Sequence, residues 1–151
     1  MIRIQAEDFD IDEVYQYLRA ASPAATGAIC VFSGLVREFG DTAGVQELYL
    51  EHYPGMTEKS LGEIVGQAKQ RWNLHAEVII HRIGQLKLTE QIVVVGVSAS
   101  HREAAFHACE FIMDYLKRDV TIWKKEKRGD VETWVDAKQS DQDKAATWVG
   151  D

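Results

Sequence analysis

Two lysines in the last third of the chain have the residue type and the spacing to do chemistry. Lys117 closes a predicted helix, and Lys124 follows it in a short strand predicted over Val120 to Lys127. If the chain turns back between them, both ammonium groups can face one cleft. Alternation along the strand puts Lys124 on the same face as Glu126 and apolar residues, which predicts a partly desolvated lysine. Such a lysine suits proton transfer or attack on a carbonyl-like carbon.

The same segment has a second interpretation, because lysines also protect the edges of sheets. An edge strand exposes unpaired backbone groups, and Lys124, Lys125, Lys127 and Arg128 would discourage another chain from pairing with them. Taken alone, the pattern favours this protective role over catalysis. Alternation also points Lys125 to the face opposite Lys124.

Three further basic residues could hold an anion. His101 and Arg102 fall in the first turn of a helix that a Ser100 and Glu103 capping box is predicted to open. Free N–H groups and the helix dipole favour a phosphate there. Arg37 ends a strand predicted over 27–36 and could grip a phosphate or carboxylate in a bidentate manner. The alternative for all three is an ordinary solvated surface position.

The remaining candidate residues give weaker signals. Phe32 and Met113 are apolar residues in core-like settings. Cys30 and Cys109 are isolated in apolar segments, so both are interpreted as buried thiols rather than zinc ligands. Four histidines lack metal-ligand spacing and are interpreted as structural: His52, His75, His81 and His107.

Composition limits the class of protein. Hydrophobic residues make up 46% and charged residues 27% of 151 residues, which indicates a globular chain with a core. A formal charge of −7 repels polyanions and argues against a nucleic-acid binder. The longest apolar stretch, Ile92 to Ala99, is too short to cross a bilayer, and residues 1–10 resemble no targeting signal. We therefore expect a cytoplasmic protein with no membrane partner.

The hydrophobic periodicity predicts an α+β fold. We expect one domain over 1–151 with a mainly antiparallel sheet, helices on one side of it and a C-terminal β-hairpin around Arg128-Gly129-Asp130. The strand over Gln91 to Ser98 is apolar throughout, so it should be central. The polar segment Ala137 to Val149 has weak helical periodicity and could dock on the body or on a partner. Predicted helices begin after the caps Asp10, Thr57 and Ser100, and the other predicted strands are 27–36, 45–53, 76–83, 120–127 and 131–136.

Four longer stretches together resemble the catalytic (large) subunit family of molybdopterin synthase. They are FSGLVR at 32–37, LEHYPGMTEKSL at 50–61, HRIGQL at 81–86, and the long segment from Val97 to Glu126. The match covers most of the chain. Segments as long and unusual as EHYPGMTEK and FIMDYLK are more specific than a short motif.

The resemblance implies an enzyme, a site and partners. The family is described as an α/β hammerhead fold that forms a central homodimer with one small ubiquitin-like subunit at each end, a heterotetramer. The small subunit's C-terminal thiocarboxylate gives sulfur to a pterin phosphate, with no metal and no cofactor. Lys117 and Lys124 would be catalytic. The implied substrate-binding residues are Phe32, Leu35, Val36, Arg37, His101, Arg102, Met113, Lys117, Lys124, Lys125 and Glu126.

Two other functions fit the residues less well. In a non-catalytic docking module, the basic hairpin over 124–128 would bind an acidic protein and the helix start would hold a structural anion. Such a module would tolerate the loss of Lys117. A hydrolase of small phosphorylated metabolites ranks last, because no nucleophile-base pair or carboxylate metal cluster stands out.

Overall fold

In the computed structural model, which describes residues 1–38, 44–135 and 139–150, the chain forms two small sheets and a set of helices. The hairpin predicted near the C-terminus is confirmed, since its two strands pair antiparallel. The elements within the described residues are β1 (Ile2–Gln5), α1 (Ile11–Ala21), β2 (Ala28–Leu35), β3 (Glu47–His52), α2 (Met56–Trp72), β4 (Ala76–Arg82), β5 (Gly84–Lys87), β6 (Gln91–Ala99), α3 (Arg102–Asp119), β7 (Ile122–Arg128), β8 (Val131–Val135), α4 (Gln139–Ala146) and a short 3-10 helix (Thr147–Gly150).

The strands divide between two four-stranded sheets. The first has the order β1-β4-β6-β2 and the second the order β5-β3-β7-β8. β1 runs parallel to β4, and the other pairings among the described strands are antiparallel. The expected α+β class with mainly antiparallel strands is therefore confirmed. β6 lies between β4 and β2, as its uninterrupted apolar sequence predicted.

Helices cover both faces of the first sheet, so the expectation of helices on one side is wrong. Val78 and Ile80 on β4 pack with Val14 and Leu18 of α1. Ile79, which points to the opposite face, belongs to the large core formed with α2 and α3. The strand β6 alternates in the same way, and this is the physical reason that it is apolar at nearly every position.

Two helix starts differ from the prediction. Thr57 does not cap α2; Gly55 is the N-cap at φ 83°, and its N–H donates to the Glu58 carboxylate at 2.7 Å. Likewise, Ser100 does not cap α3. Its hydroxyl lies 3.3 Å from Nε2 of His75, and His101 is the N-cap without a side-chain cap bond. The Asp10 cap of α1 is confirmed, since its carboxylate accepts the Asp12 N–H at 2.7 Å.

The C-terminal segment docks on the body of this chain. Trp148 stacks edge-on against Trp72 and Phe111, with ring centroids 5.6 Å away in each case. Its indole N–H donates to Asp114 at 3.0 Å, and its carbonyl accepts from Arg71 at 2.8 Å. These contacts hold α4 against α3. The predicted strand end at Asp136 and the start of the tail, 137–138, fall outside the described residues.

The two cysteines differ in burial. Cys109 is buried in the large core, and this burial raises the pKa of its thiol. Cys30 is only partly buried, so the expectation of two buried thiols holds for Cys109 alone. Within the described residues, no helix is long and apolar enough to cross a membrane.

Candidate functional site

A cleft of about 1030 Å³ lies where the ends of the two sheets meet the C-terminal end of α3. Its floor is apolar, with Val36, Leu48, Leu50 and Met113 among the buried residues that line it. Its charged residues are Arg37, Lys117, Arg118, Asp119, Lys124, Glu126 and Lys144. Eight of the eleven residues that the resemblance implied line this cleft: Phe32, Leu35, Val36, Arg37, Met113, Lys117, Lys124 and Glu126.

A bulge at the end of β2 directs one wall into the cleft. The register with β6 shifts between Gly34 and Leu35, and such a shift re-aims the residues that follow it. Val36 then turns inward and is 4% exposed, while Leu35 and Arg37 are exposed at the mouth. Phe32 is 42% exposed, so its core-like setting was a wrong expectation and it forms part of the open wall.

The EHYPGMTEK stretch has a structural role that bears on the site. The Thr57 hydroxyl accepts the Tyr53 N–H at 3.1 Å and donates to the Thr121 carbonyl at 3.0 Å. Thr57 is fully buried, so this bridge is shielded from water. It ties the start of α2 to the turn between α3 and β7. Lys117 and Lys124 lie on either side of that turn, and both line the cleft.

Lys124 belongs to an interior strand, which corrects the interpretation of a protective edge. β7 pairs with β3 on one side and with β8 on the other. The Lys124 ammonium lies 3.5 Å from Oε1 of Glu126, and its side chain is 35% exposed, as expected of a partly desolvated lysine. Glu126 is 2% exposed, and its Oε2 accepts from Arg128 at 2.7 Å. One buried carboxylate therefore lies between two cations.

Lys125 faces the other side of the sheet, as alternation predicted. Its ammonium is 5.2 Å from the Tyr49 ring centroid, 5.4 Å from that of Trp134 and 3.0 Å from the Glu132 carboxylate. It does not line the cleft. The resemblance grouped Lys125 with the substrate-binding residues, but this chain does not bring it to them.

His101 and Arg102 also lie away from the cleft of their own chain. Arg102 begins α3, as the sequence predicted, whereas His101 is its N-cap rather than part of the first turn; both residues are exposed. Lys117 is near the other end of that helix, which puts Arg102 about 22 Å from it at 1.5 Å per residue. A phosphate group held by Arg102 of one chain cannot also reach Lys117 of the same chain.

The cleft is locally positive on an acidic protein. Among its lining residues, five cations stand against two carboxylates, and Arg118 is paired with Asp119. Lys144 was not predicted, because it belongs to a polar segment with weak periodicity and reaches the cleft only through the docking of α4. His81, interpreted from sequence as structural, also lines the cleft. Among the described residues, no group of three or more acidic, histidine or cysteine side chains could hold a metal ion.

Glu126→Gln tests whether the buried carboxylate positions Lys124. The change keeps the side-chain volume but removes a charge-assisted contact worth about 1.5–3 kcal/mol. We therefore expect the rate of the reaction that the resemblance implies to fall at least about tenfold. Single-turnover kinetics would measure it. The matched control is Glu132→Gln, which removes the 54% exposed carboxylate beside Lys125 and should leave the rate within about twofold. Equal rates for both variants would contradict the positioning role.

The fold and the cleft together define a class: a mixed α+β domain with a cation-rich cleft over an apolar floor, between a strand end and a helix end. Comparison with known proteins narrows this class. Residues 4–119 match the family model described as MoaE protein. The chain is 50% identical over 147 residues to the molybdopterin synthase catalytic subunit of Ralstonia nicotianae, which covers 97% of this chain and 83% of that relative.

Solved structures agree with the sequence matches. The molybdopterin biosynthesis MoaE protein of Burkholderia ambifaria has a TM-score of 0.84 and 46% identity, covering 98% of this chain and 97% of that one. A complex of subunits 1 and 2 of the molybdopterin-converting factor from Helicobacter pylori has a TM-score of 0.74 over 89% of both chains at 20% identity, and so shares the fold. The chain belongs to the MoaE protein family.

Proposed function

We propose that this chain is the catalytic subunit of a molybdopterin synthase and acts as a single domain over 1–151 in the cytoplasm. It would transfer sulfur to a cyclic pterin monophosphate and build the dithiolene of molybdopterin. One observation carries the proposal: Lys117, Lys124 and Arg37 converge on one cleft whose floor is apolar. A flat heterocycle suits such a floor, and its phosphate suits the cations around it.

The chemistry would divide between the two ends of the substrate. Arg37 neutralises phosphate at the mouth, while Lys124 and Lys117 stabilise negative charge where sulfur attacks. The thiocarboxylate sulfur forms a bond to a side-chain carbon of the pterin while a carbon–oxygen bond at that carbon breaks. The departing oxygen takes up a proton, and the product is a thioester with the small subunit. Water then cleaves the acyl-sulfur bond, leaving the sulfur on the pterin and releasing the small subunit as a carboxylate. A second round supplies the second sulfur.

The sulfur donor would be a small ubiquitin-like subunit whose C-terminal tail enters the cleft. The Helicobacter pylori structure that shares this fold is itself a complex of two subunits, and we propose an equivalent complex here. An extended tail ending in a thiocarboxylate is anionic, so the excess of cations in the cleft would attract it. The tail must reach Lys124, which sets the depth of insertion.

The position of His101 and Arg102 leads us to propose a homodimer with shared sites. Both residues are exposed about 22 Å along α3 from Lys117, too far to act on the same substrate within one chain. In a two-fold dimer, the start of α3 in one copy could complete the cleft of the other. Arg102 would then hold the phosphate with Arg37, and each dimer would bear two composite sites. Light scattering at micromolar concentration should give the mass of a dimer of this chain.

Mixing two inactive variants tests the shared site. Arg102→Ala and Lys117→Ala should each lose most activity alone, yet a mixture that exchanges subunits should recover about a quarter of the wild-type rate. Recovery is expected because half of the dimers would be mixed, and each mixed dimer would have one site with both native residues. If Arg102 and Lys117 acted within one chain, the mixture would be as inactive as its components.

Reconstitution tests the proposed function against its rivals. The chain is mixed with a thiocarboxylated small subunit and the pterin precursor, and the dithiolene product is measured. Formation of product is expected. A docking module would bind the small subunit and make none. A phosphate-ester hydrolase would release inorganic phosphate without any sulfur donor, and that result would also overturn the proposal.

A further inference from the structure

His81 lies at the inner end of β4, where it lines the cleft although only 5% of its surface is exposed. Its Nδ1 is 2.7 Å from the carbonyl oxygen of Arg82. A carbonyl oxygen only accepts hydrogen bonds, so Nδ1 must carry the proton that is shared with it. This contact fixes both the orientation of the ring and its tautomer.

The other ring nitrogen is then a hydrogen-bond acceptor. Burial, with a smaller contribution from the nearby His52, lowers the pKa of His81 to about 4, so the ring is neutral at pH 7. In a neutral imidazole with a protonated Nδ1, Nε2 presents a lone pair. Nε2 has no hydrogen-bond partner among the described residues. The side-chain atoms there that are both fully buried and unpaired are Oε1 of Glu126 and Nε of Arg128, and Nε2 is not among them. It therefore meets the space of the cleft.

The residues around this lone pair are mainly apolar, with His52 the nearby titratable ring. The cleft wall near it includes Val93, its cross-strand neighbour on β6, with Ile92 beside it and Met113 and Leu116 across on α3. An acceptor in such a setting is costly unless a ligand or a water satisfies it. The Glu126 carboxylate, another acceptor in the cleft, is already engaged by Arg128 and Lys124.

We propose that Nε2 of His81 accepts a hydrogen bond from a ring N–H or amino group of the bound heterocycle, and so fixes which edge of the substrate faces the floor. This inference rests on the proposed function, since it takes a pterin as the heterocycle. Cations at the mouth hold the phosphate but cannot tell one edge of a flat ring from another. A fixed neutral acceptor at the floor can distinguish the two edges of the ring, and it brings no charge into the apolar region. His81 is a specificity residue in this scheme and takes no part in the chemical step.

Two substitutions distinguish the effect of losing the hydrogen-bond acceptor from the effect of losing the flat ring. His81→Phe keeps a flat ring and removes both nitrogens, whereas His81→Gln restores an acceptor near the position of Nε2. We expect His81→Phe to weaken precursor binding at least about tenfold by calorimetry. His81→Gln should stay within about threefold of wild type, and inorganic phosphate should bind all three proteins equally. Equal precursor affinity of wild type and His81→Phe would overturn the contact and leave the proposed function intact.

NMR of the wild-type protein gives a second test that does not depend on a variant folding. With isotope-labelled histidine nitrogens, Nε2 of His81 should be unprotonated at pH 7, and its resonance should move when the precursor is added but not with phosphate alone. A proton on Nε2 in the free protein, or a resonance that the precursor does not move, would overturn the inference. Failure of wild type to bind the precursor at all would overturn the proposed function, and the His81 contact with it.

Discussion

Replacing Lys117 or Lys124 with alanine should lower the rate of sulfur transfer by on the order of 10²-fold or more for each lysine, because each supplies positive charge or a proton where the reaction develops negative charge. Stability should change by only about 1 kcal/mol, since both side chains are at least partly exposed. Single-turnover product formation and thermal melts on the same preparations would measure the two effects separately.

Lys125→Ala is the matched control for the Lys124 variant. It removes the same charge from the neighbouring position of β7, but its side chain packs on Tyr49 and Trp134 on the opposite face of the sheet. Its activity should stay within about threefold of wild type, which is the range of an exposed charge acting at a distance. Wild-type rates for the Lys117 and Lys124 variants would refute the catalytic assignment. An equal loss in all three variants would indicate that net charge matters rather than position.

Phe111→Ala should produce the largest loss of stability, about 3–5 kcal/mol in the free energy of unfolding. The ring is fully buried, with Tyr115 at 4.5 Å and Trp72 at 5.2 Å between ring centroids. It also contacts Trp148, so the cavity would loosen the docking of the C-terminal segment. Denaturant unfolding followed by tryptophan fluorescence would report the change.

Phe106→Ala provides the control on the same helix. Phe106 is 62% exposed, so the identical substitution removes little buried surface and should cost less than about 1 kcal/mol. Equally small losses for the two variants would mean that the aromatic cluster around Phe111 does not hold the helices together. Equally large losses, of about 3–5 kcal/mol, would instead point to a role for Phe106 in an interface.

The parts of the fold that were predictable have strong periodicity. The α1 helix, the strand β6 and the hairpin of β7 and β8 follow from apolar spacing and turn residues. β1 and β5 were missed, because strands of four residues carry too little alternation to stand out. The second sheet was missed for a different reason: β3 pairs with β7, which is distant in sequence, and no local pattern encodes such a pairing.

The candidate site was likewise predictable only where a regular sequence period decides the position of a side chain. Alternation placed Lys124 and Glu126 together and Lys125 apart, because the strand period is strict. The separation of Arg102 from Lys117 follows from helix length, but the sequence does not say whether a second copy covers that distance. Lys144 and His81 depend on tertiary packing: the first on the docking of α4, the second on one hydrogen bond to a backbone carbonyl. No local pattern encodes either contact.

The central claim is that sulfur passes from the small subunit's thiocarboxylate to the pterin in the cleft of this chain. The most direct measurement uses a thiocarboxylate that carries a heavy sulfur isotope, with mass spectrometry of the product and of the small subunit. We expect the product to contain two heavy sulfur atoms and each spent small subunit to end in a carboxylate. When the Lys124→Ala variant replaces the native chain, we expect no labelled product and no conversion of the thiocarboxylate to a carboxylate. Product that lacks the heavy isotope, or label that stays on the small subunit, would contradict the claim.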